Sequence, residues 1–132
     1  KTFLAAGRNV TLADDDSEFI ACSSIEDLET VFMHVIQNAL DASDADQAVD
    51  ITIKQNTEYV VVSVKDTGIG MDREFIRDEL FRPFRSLKKD GYGIGAYESR
   101  QLIQSMGGRM EVKSKPNEGT IINIYLKKER ED

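Results

Sequence analysis

Asp66-Thr67-Gly68-Ile69-Gly70-Met71 sets one carboxylate between an apolar run and two closely spaced glycines. The run ahead of it, Tyr59-Val60-Val61-Val62-Ser63-Val64, is β-branched and near-continuous, which favours a strand. Gly68 and Gly70 can take positive φ without the Cβ penalty that other residues suffer. Asp66 is therefore expected at a strand end, where a fixed carboxylate can accept a hydrogen bond from an exocyclic amine while bare backbone lets a flat base come close. That chemistry suits adenine, and the stretch reads as the floor of a nucleotide pocket. Ordinary turns also carry Asp-x-Gly-x-Gly, so the motif takes its weight from its companions.

Four such companions are present. Gly91, Gly93 and Gly95 alternate just ahead of a helical stretch, leaving backbone N–H groups free to face an anion at a helix N-terminus. A flexible loop entering a helix would look the same. Lys88, three residues earlier, could close over a terminal phosphate as a point charge, although most lysines are simply solvated. Asn38 lies in an apolar helical stretch where Asn costs roughly half a kcal/mol relative to Ala. Its amide oxygen is a hard ligand of the kind Mg²⁺ accepts beside waters and phosphates; a helix-to-loop hydrogen bond is the plainer use. His34 stands four residues before Asn38, so the two share a helix face and can reach one ligand.

The elements that must position these groups follow from pattern. The opening, Lys1 to Asp16, is read as an edge with a short strand near Asn9 to Ala13, and a second strand is expected at Glu18 to Cys22. Ser23 and Glu26 form a capping box before a helix from about Ile25 to Ser43. Its buried arc comprises Leu28, Val31, Phe32, Val35, Ile36, Ala39 and Leu40. Val49 to Gln55 and Glu58 to Lys65 alternate and pair as a hairpin across Asn56-Thr57. Asp72 caps a short helix from Arg73 to about Leu80, which leads into Phe81-Arg82-Pro83-Phe84. Ala96 to Met106 forms a further helix, ended by Gly107-Gly108. Two last strands, Arg109 to Ser114 and Thr120 to Leu126, flank the turn at Lys115-Pro116-Asn117-Glu118-Gly119.

With 132 residues, 40% of them hydrophobic, the chain is long enough for one domain with one core. A net charge of -7 argues against a nucleic-acid surface built on clustered Lys and Arg. The single cysteine, Cys22, allows no internal disulfide and no Cys-rich zinc site, which suits a cytoplasmic setting. No stretch approaches the ~18 to 20 apolar residues of a membrane span, so no direct membrane contact is expected. Because the first residue is Lys1 rather than Met, a longer parent protein is expected.

In order along the chain, His34-x-x-x-Asn38, Asp66-Thr67-Gly68-Ile69-Gly70, Phe81-Arg82-Pro83-Phe84 with Lys88, Gly91-Tyr92-Gly93-Ile94-Gly95, and Gly107-Gly108 with Gly119-Thr120 resemble the N box, glycine boxes and F box of the GHKL ATPase superfamily. The likeness covers about Ser23 to Leu126 and looks closest to the catalytic ATP-binding domain of sensor histidine kinases. The run Gly91 to Gly108 is also similar to histidine kinases of the PEP-CTERM export system. The implied fold is α+β: a two-layer α/β sandwich with a mixed sheet packed under three helices. The implied domain runs over residues 1–126, with a charged tail at 127–132 and the dimerisation and phosphoacceptor region outside this chain.

The resemblance also implies roles. Asn38 would coordinate Mg²⁺ and Asp66 would accept the adenine N6 amine. Gly68 and Gly70 would shape the floor, and Thr120 would sit near the base. Gly91, Gly93 and Gly95 would cradle the phosphates of ATP and Lys88 would approach the terminal ones. Ala42, Met71, Tyr92 and Ile94 complete the implied nucleotide contacts, while His34, Asn38 and Lys88 make up the implied catalytic set. Phe81 and Phe84 would anchor the lid.

Four positions depart from the family pattern. His34 replaces the general-base Glu of the hydrolysing members. Asp41 stands where a basic residue often meets phosphate, and Tyr92 and Ala96 differ from the expected second glycine box. The implied reaction is transfer of the ATP γ-phosphoryl group to a histidine on a separate dimerisation helix, with a response regulator downstream. An ATP-driven conformational machine, a serine kinase acting on a protein regulator, and an interaction module with a decayed site are the alternatives.

Overall fold

The computed structural model describes residues 2–5, 8–14, 25–44, 46–82 and 95–128. The expected strand at 18–22, Cys22, the Ser23 cap, Phe84, Lys88, Gly91, Tyr92, Gly93 and Ile94 lie outside these. In chain order the elements are β1 (Thr2–Ala5), β2 (Arg8–Asp14), α1 (Ile25–Ala42), β3 (Val49–Gln55), β4 (Tyr59–Asp66), α2 (Arg73–Phe75), α3 (Ala96–Ser105), β5 (Arg109–Lys115) and β6 (Gly119–Lys127), with α2 running on into a π-helical turn at Ile76–Leu80. The strands form one sheet in the order β1-β2-β3-β4-β6-β5. Among the described residues only β2 and β3 pair in parallel. A parallel pair needs a crossover, and α1 supplies it. The sheet is thus mixed, as expected, and carries the helices on one face. The opening lies at the sheet edge with two strands where one is expected: β1 pairs outside β2, through the register Phe3 with Val10.

Strand alternation decides what faces the helices. On β4 the inward row is Val60, Val62 and Val64, and Asp66 continues it by the same period of two. On β6 the row is Thr120, Ile122, Ile124 and Leu126. Against these pack Val31, Val35, Ala39 and Leu40 of α1 and Ile103 of α3, with Leu28, Phe32 and Ile36 partly buried beside them. Each such aliphatic side chain, fully buried, is worth about 1.5 to 3 kcal/mol. On the opposite sheet face Tyr125 meets Tyr59 edge-on at 6.1 Å, and the Arg109 guanidinium lies 4.1 Å above the Tyr125 ring.

Local chemistry ends the elements close to where pattern places them. Asp72 accepts the N–H of Phe75 at 2.7 Å and caps α2. Gly107, at φ 78, and Gly108 donate to the carbonyls of Gln104 and Ile103, closing α3 in a Schellman-type cap. The β3–β4 connection is three residues rather than two, because the Asn56 side chain accepts the N–H groups of both Glu58 and Tyr59. β6 runs through Lys127, past the expected boundary at 126, and Lys128 donates to the Glu58 carbonyl.

Candidate functional site

Between α1, the 66–71 turn, α2 and the inward face of β4, β5 and β6 lies a cavity of about 340 Å³. Of the residues singled out from sequence, His34, Asn38, Ala42, Asp66, Gly70, Met71 and Thr120 all line it. The rest of its wall is mostly apolar, with Ile69, Phe75, Leu80, Phe81, Met110, Val112 and Ile122 among its members. Such a pocket, with few polar groups converging on it, is the usual form of a small-molecule site.

Asp66 supplies the buried charge. The pairing of β4 with β6 sets it opposite Thr120, and that of β6 with β5 sets Thr120 opposite Ser114. The next rung inward is Val64, Ile122 and Val112, so the sheet ends in one polar rung upon an apolar ladder. Asp66 is 5% exposed. Burial pushes its carboxyl above the ordinary 3.8, and the backbone N–H groups of Gly68 and Thr120 pull it part of the way back. Gly68 donates to Oδ1 at 2.9 Å.

The glycines of the turn make room for protein backbone. A Cβ on Gly68 would stand 2.0 Å from the Ala42 carbonyl oxygen, and one on Gly70, whose φ is 69, would stand 1.9 Å from that of Lys115. The turn is wedged between the end of α1 and the β5–β6 hairpin. Ile69 ties to both, donating to Ala42 and accepting from Asn117. Gly68 lies behind the cavity wall, whereas Gly70 is part of it.

Along α1, Asn38 is one turn, about 6 Å, back from Ala42, and His34 one turn further. The Asn38 amide nitrogen lies 3.0 Å from His34 Nε2. An amide nitrogen donates, so Nε2 accepts and the ring proton sits on Nδ1. His34 is 5% exposed. Asp41 accepts from Gln37 at 2.8 Å. At the far rim Gly95 is buried ahead of α3, and Ala96 of that helix's first turn joins the wall. Phe81 is held by the Arg100 guanidinium, 4.1 Å above its ring.

Sequence reasoning passed over Ser114, which touches Met71 of the turn and Gly119 and Thr120 of the facing strand β6. A spacing of six from Thr120 across a five-residue turn was the available signal. Of the apolar wall it named only Phe81, as a lid anchor, and passed over Ile69, Phe75, Leu80, Met110, Val112 and Ile122.

A family model described as histidine kinase-, DNA gyrase B- and HSP90-like ATPase matches residues 23–130. The chain belongs to this ATPase family. Among curated proteins, the ATPase domain is 36% identical over 103 residues to the C4-dicarboxylate transport sensor protein DctB of Rhizobium meliloti, which covers 76% of this chain and 16% of that protein. It is 32% identical over 127 residues to a probable C4-dicarboxylate sensor kinase of Halalkalibacterium halodurans, covering 90% of this chain and 24% of the relative. The chain thus spans about a quarter or less of these relatives. In structure it resembles the catalytic domain of histidine kinase ThkA at a TM-score of 0.76 and 23% identity, over 90% of this chain and 78% of that one, which bears on the fold alone. The domain is an ATP-binding domain of α+β fold. No helix among the described residues is long and apolar enough to cross a membrane.

Proposed function

We propose that this ATPase domain is the catalytic domain of a two-component sensor histidine kinase, transferring the γ-phosphoryl group of Mg·ATP to a histidine on a separate dimerisation helix. The observation that supports it most is the buried Asp66 carboxylate, which closes a mostly apolar cavity beside Thr120, with Asn38 of α1 in the same wall. In this reading Asp66 accepts the adenine N6 amine and Thr120 sits near the base. Ala42, Gly70 and Met71 pack round the ring, and Gly68 holds the turn and Asp66 in place. Asn38, whose nitrogen is turned to His34, would serve as the Mg²⁺ ligand through its amide oxygen. Magnesium, when bound, would offset the charge of the phosphates. Gly91, Tyr92, Gly93, Ile94 and Lys88 are proposed to hold the phosphates, with Gly95 leading into α3, whose N-terminus favours an anion.

His34 orients Asn38 in this proposal. It is the single histidine and is buried, so it is not the phosphoacceptor. The acceptor belongs to a dimerisation domain of the same kinase, and a response regulator takes the phosphoryl group onward. The catalytic unit covers the chain as far as β6, and the charged residues beyond it form a tail. The domain is placed in the cytoplasm, where ATP is supplied, and is open to anchoring through other parts of a longer kinase.

Calorimetric titration of ATP, with and without Mg²⁺ and with GTP as control, into the wild type and Asp66→Asn tests the pocket. Adding a dimerisation domain from a related kinase then tests the reaction, by asking whether acid-labile phosphohistidine forms there. Turnover of ATP without an acceptor, or acid-stable phosphoserine on a regulator, would favour the ATPase-machine or serine-kinase alternative instead.

A further inference from the structure

Ser114 belongs to none of the glycine-rich motifs, yet its hydroxyl meets three groups at the base end of the cavity. Met71 donates its backbone N–H to Oγ at 2.8 Å. Oγ also lies 2.8 Å from the Gly119 carbonyl oxygen and 2.7 Å from Thr120 Oγ1. A serine hydroxyl has one proton and two lone pairs. The amide N–H can only donate and the carbonyl can only accept. The Ser114 proton therefore goes to Gly119, and the contact with Thr120 must be filled by the threonine's own proton. In this assignment every short contact carries one hydrogen.

Thr120 then has no proton to offer, and what it turns to the cavity is lone pairs. Its cross-strand partner Asp66, when ionised, is an acceptor too. We infer that Ser114 is a specificity-determining positioning residue: by holding the Thr120 proton it makes the base end of the cavity acceptor-only, so that a purine with a 6-amino group is admitted and one with a 6-oxo group is rejected. A water lodged between them would give both its protons to the two acceptors and show the ligand only lone pairs, so the preference stands either way. The inference rests on the nucleotide reading above.

The test compares ATP with inosine triphosphate, which differs at the 6-position and N1. Dissociation constants are measured by calorimetry with Mg²⁺ on the whole chain as wild type, Ser114→Ala, Thr120→Val and the double variant. Ser114→Ala frees the Thr120 proton to turn towards O6, and the preference for ATP narrows about tenfold, the worth of one hydrogen bond. Thr120→Val narrows it as well, because an acceptor for the amine is lost, and adding Ser114→Ala changes it no further. A Ser114→Ala domain that binds ATP with unchanged preference overturns the inference. So does a Thr120→Val preference that widens, the sign expected of a threonine that donates; this arm leaves Ser114 intact and decides the question even where Ser114→Ala does not fold. Failure of the folded wild type to bind ATP overturns the nucleotide reading itself, an outcome distinct from both.

Discussion

At His34 a neighbouring amide decides which chemistry the ring can do. With Nε2 accepting from Asn38, the ring cannot use that nitrogen as a base without turning the amide round. His34→Ala is expected to release the amide, so that Mg²⁺ loses most of its power to strengthen ATP binding while binding without Mg²⁺ changes little. Titrations of the two proteins with and without the metal check this. In the ligand-free wild type, ¹⁵N NMR is expected to show the proton on Nδ1. Asp66→Asn is the second residue-level case. Gly68 donates to Oδ1, so the variant keeps its amide oxygen there and turns its NH₂ towards the cavity, donor against donor. ATP binding is expected to weaken by roughly tenfold to a hundredfold, measured by calorimetry.

Among the elements, the 66–71 turn is the joint that couples α1 to the β5–β6 hairpin. Gly68→Ala places a methyl group 2.0 Å from the Ala42 carbonyl, where backbone must move. The expected cost is at least ~2 kcal/mol of unfolding free energy, read from denaturant titration, with ATP affinity falling beside it. Gly107→Ala is a milder case: φ is 78, but its Cβ would meet only the flexible Lys127 side chain. Roughly 1 kcal/mol is expected there from backbone strain alone. The helix boundaries, the β3–β4 hairpin and both ends of α3 were legible in the sequence because caps and alternation are local. The rung of Asp66, Thr120 and Ser114 was not, since it depends on register between strands far apart in the chain.

For the molecule as a whole, the raised Asp66 carboxyl links folding to pH. From 3.8 up to its folded value the folded chain binds this proton more tightly than the unfolded chain does. Its contribution therefore favours folding at low pH and is lost as pH rises through that window. Unfolding measured at several pH values should show Asp66→Asn gaining on the wild type as pH climbs above 3.8. ATP affinity is expected to move the other way, rising with pH over the same window as the carboxyl becomes an acceptor. Charge at one buried position thus trades stability for binding. The exposed Arg77–Asp78 pair, in contrast, is screened by solvent and adds little.

From α1 onward the sequence by itself determined the order of helices and strands, along with the class of fold through the company its motifs keep and most of the polar residues round the cavity. These depend on periodicity, turn chemistry and spacing, all of which can be read within a few residues. Only the tertiary structure decided that Gly68 yields to the Ala42 carbonyl, that His34 turns the Asn38 amide, and that Ser114 holds the Thr120 proton. Each is a contact a few ångströms long, and two of them join segments brought together by strand register and helix packing. The hydrogen-bond polarity of the site comes from counting protons across that assembled rung.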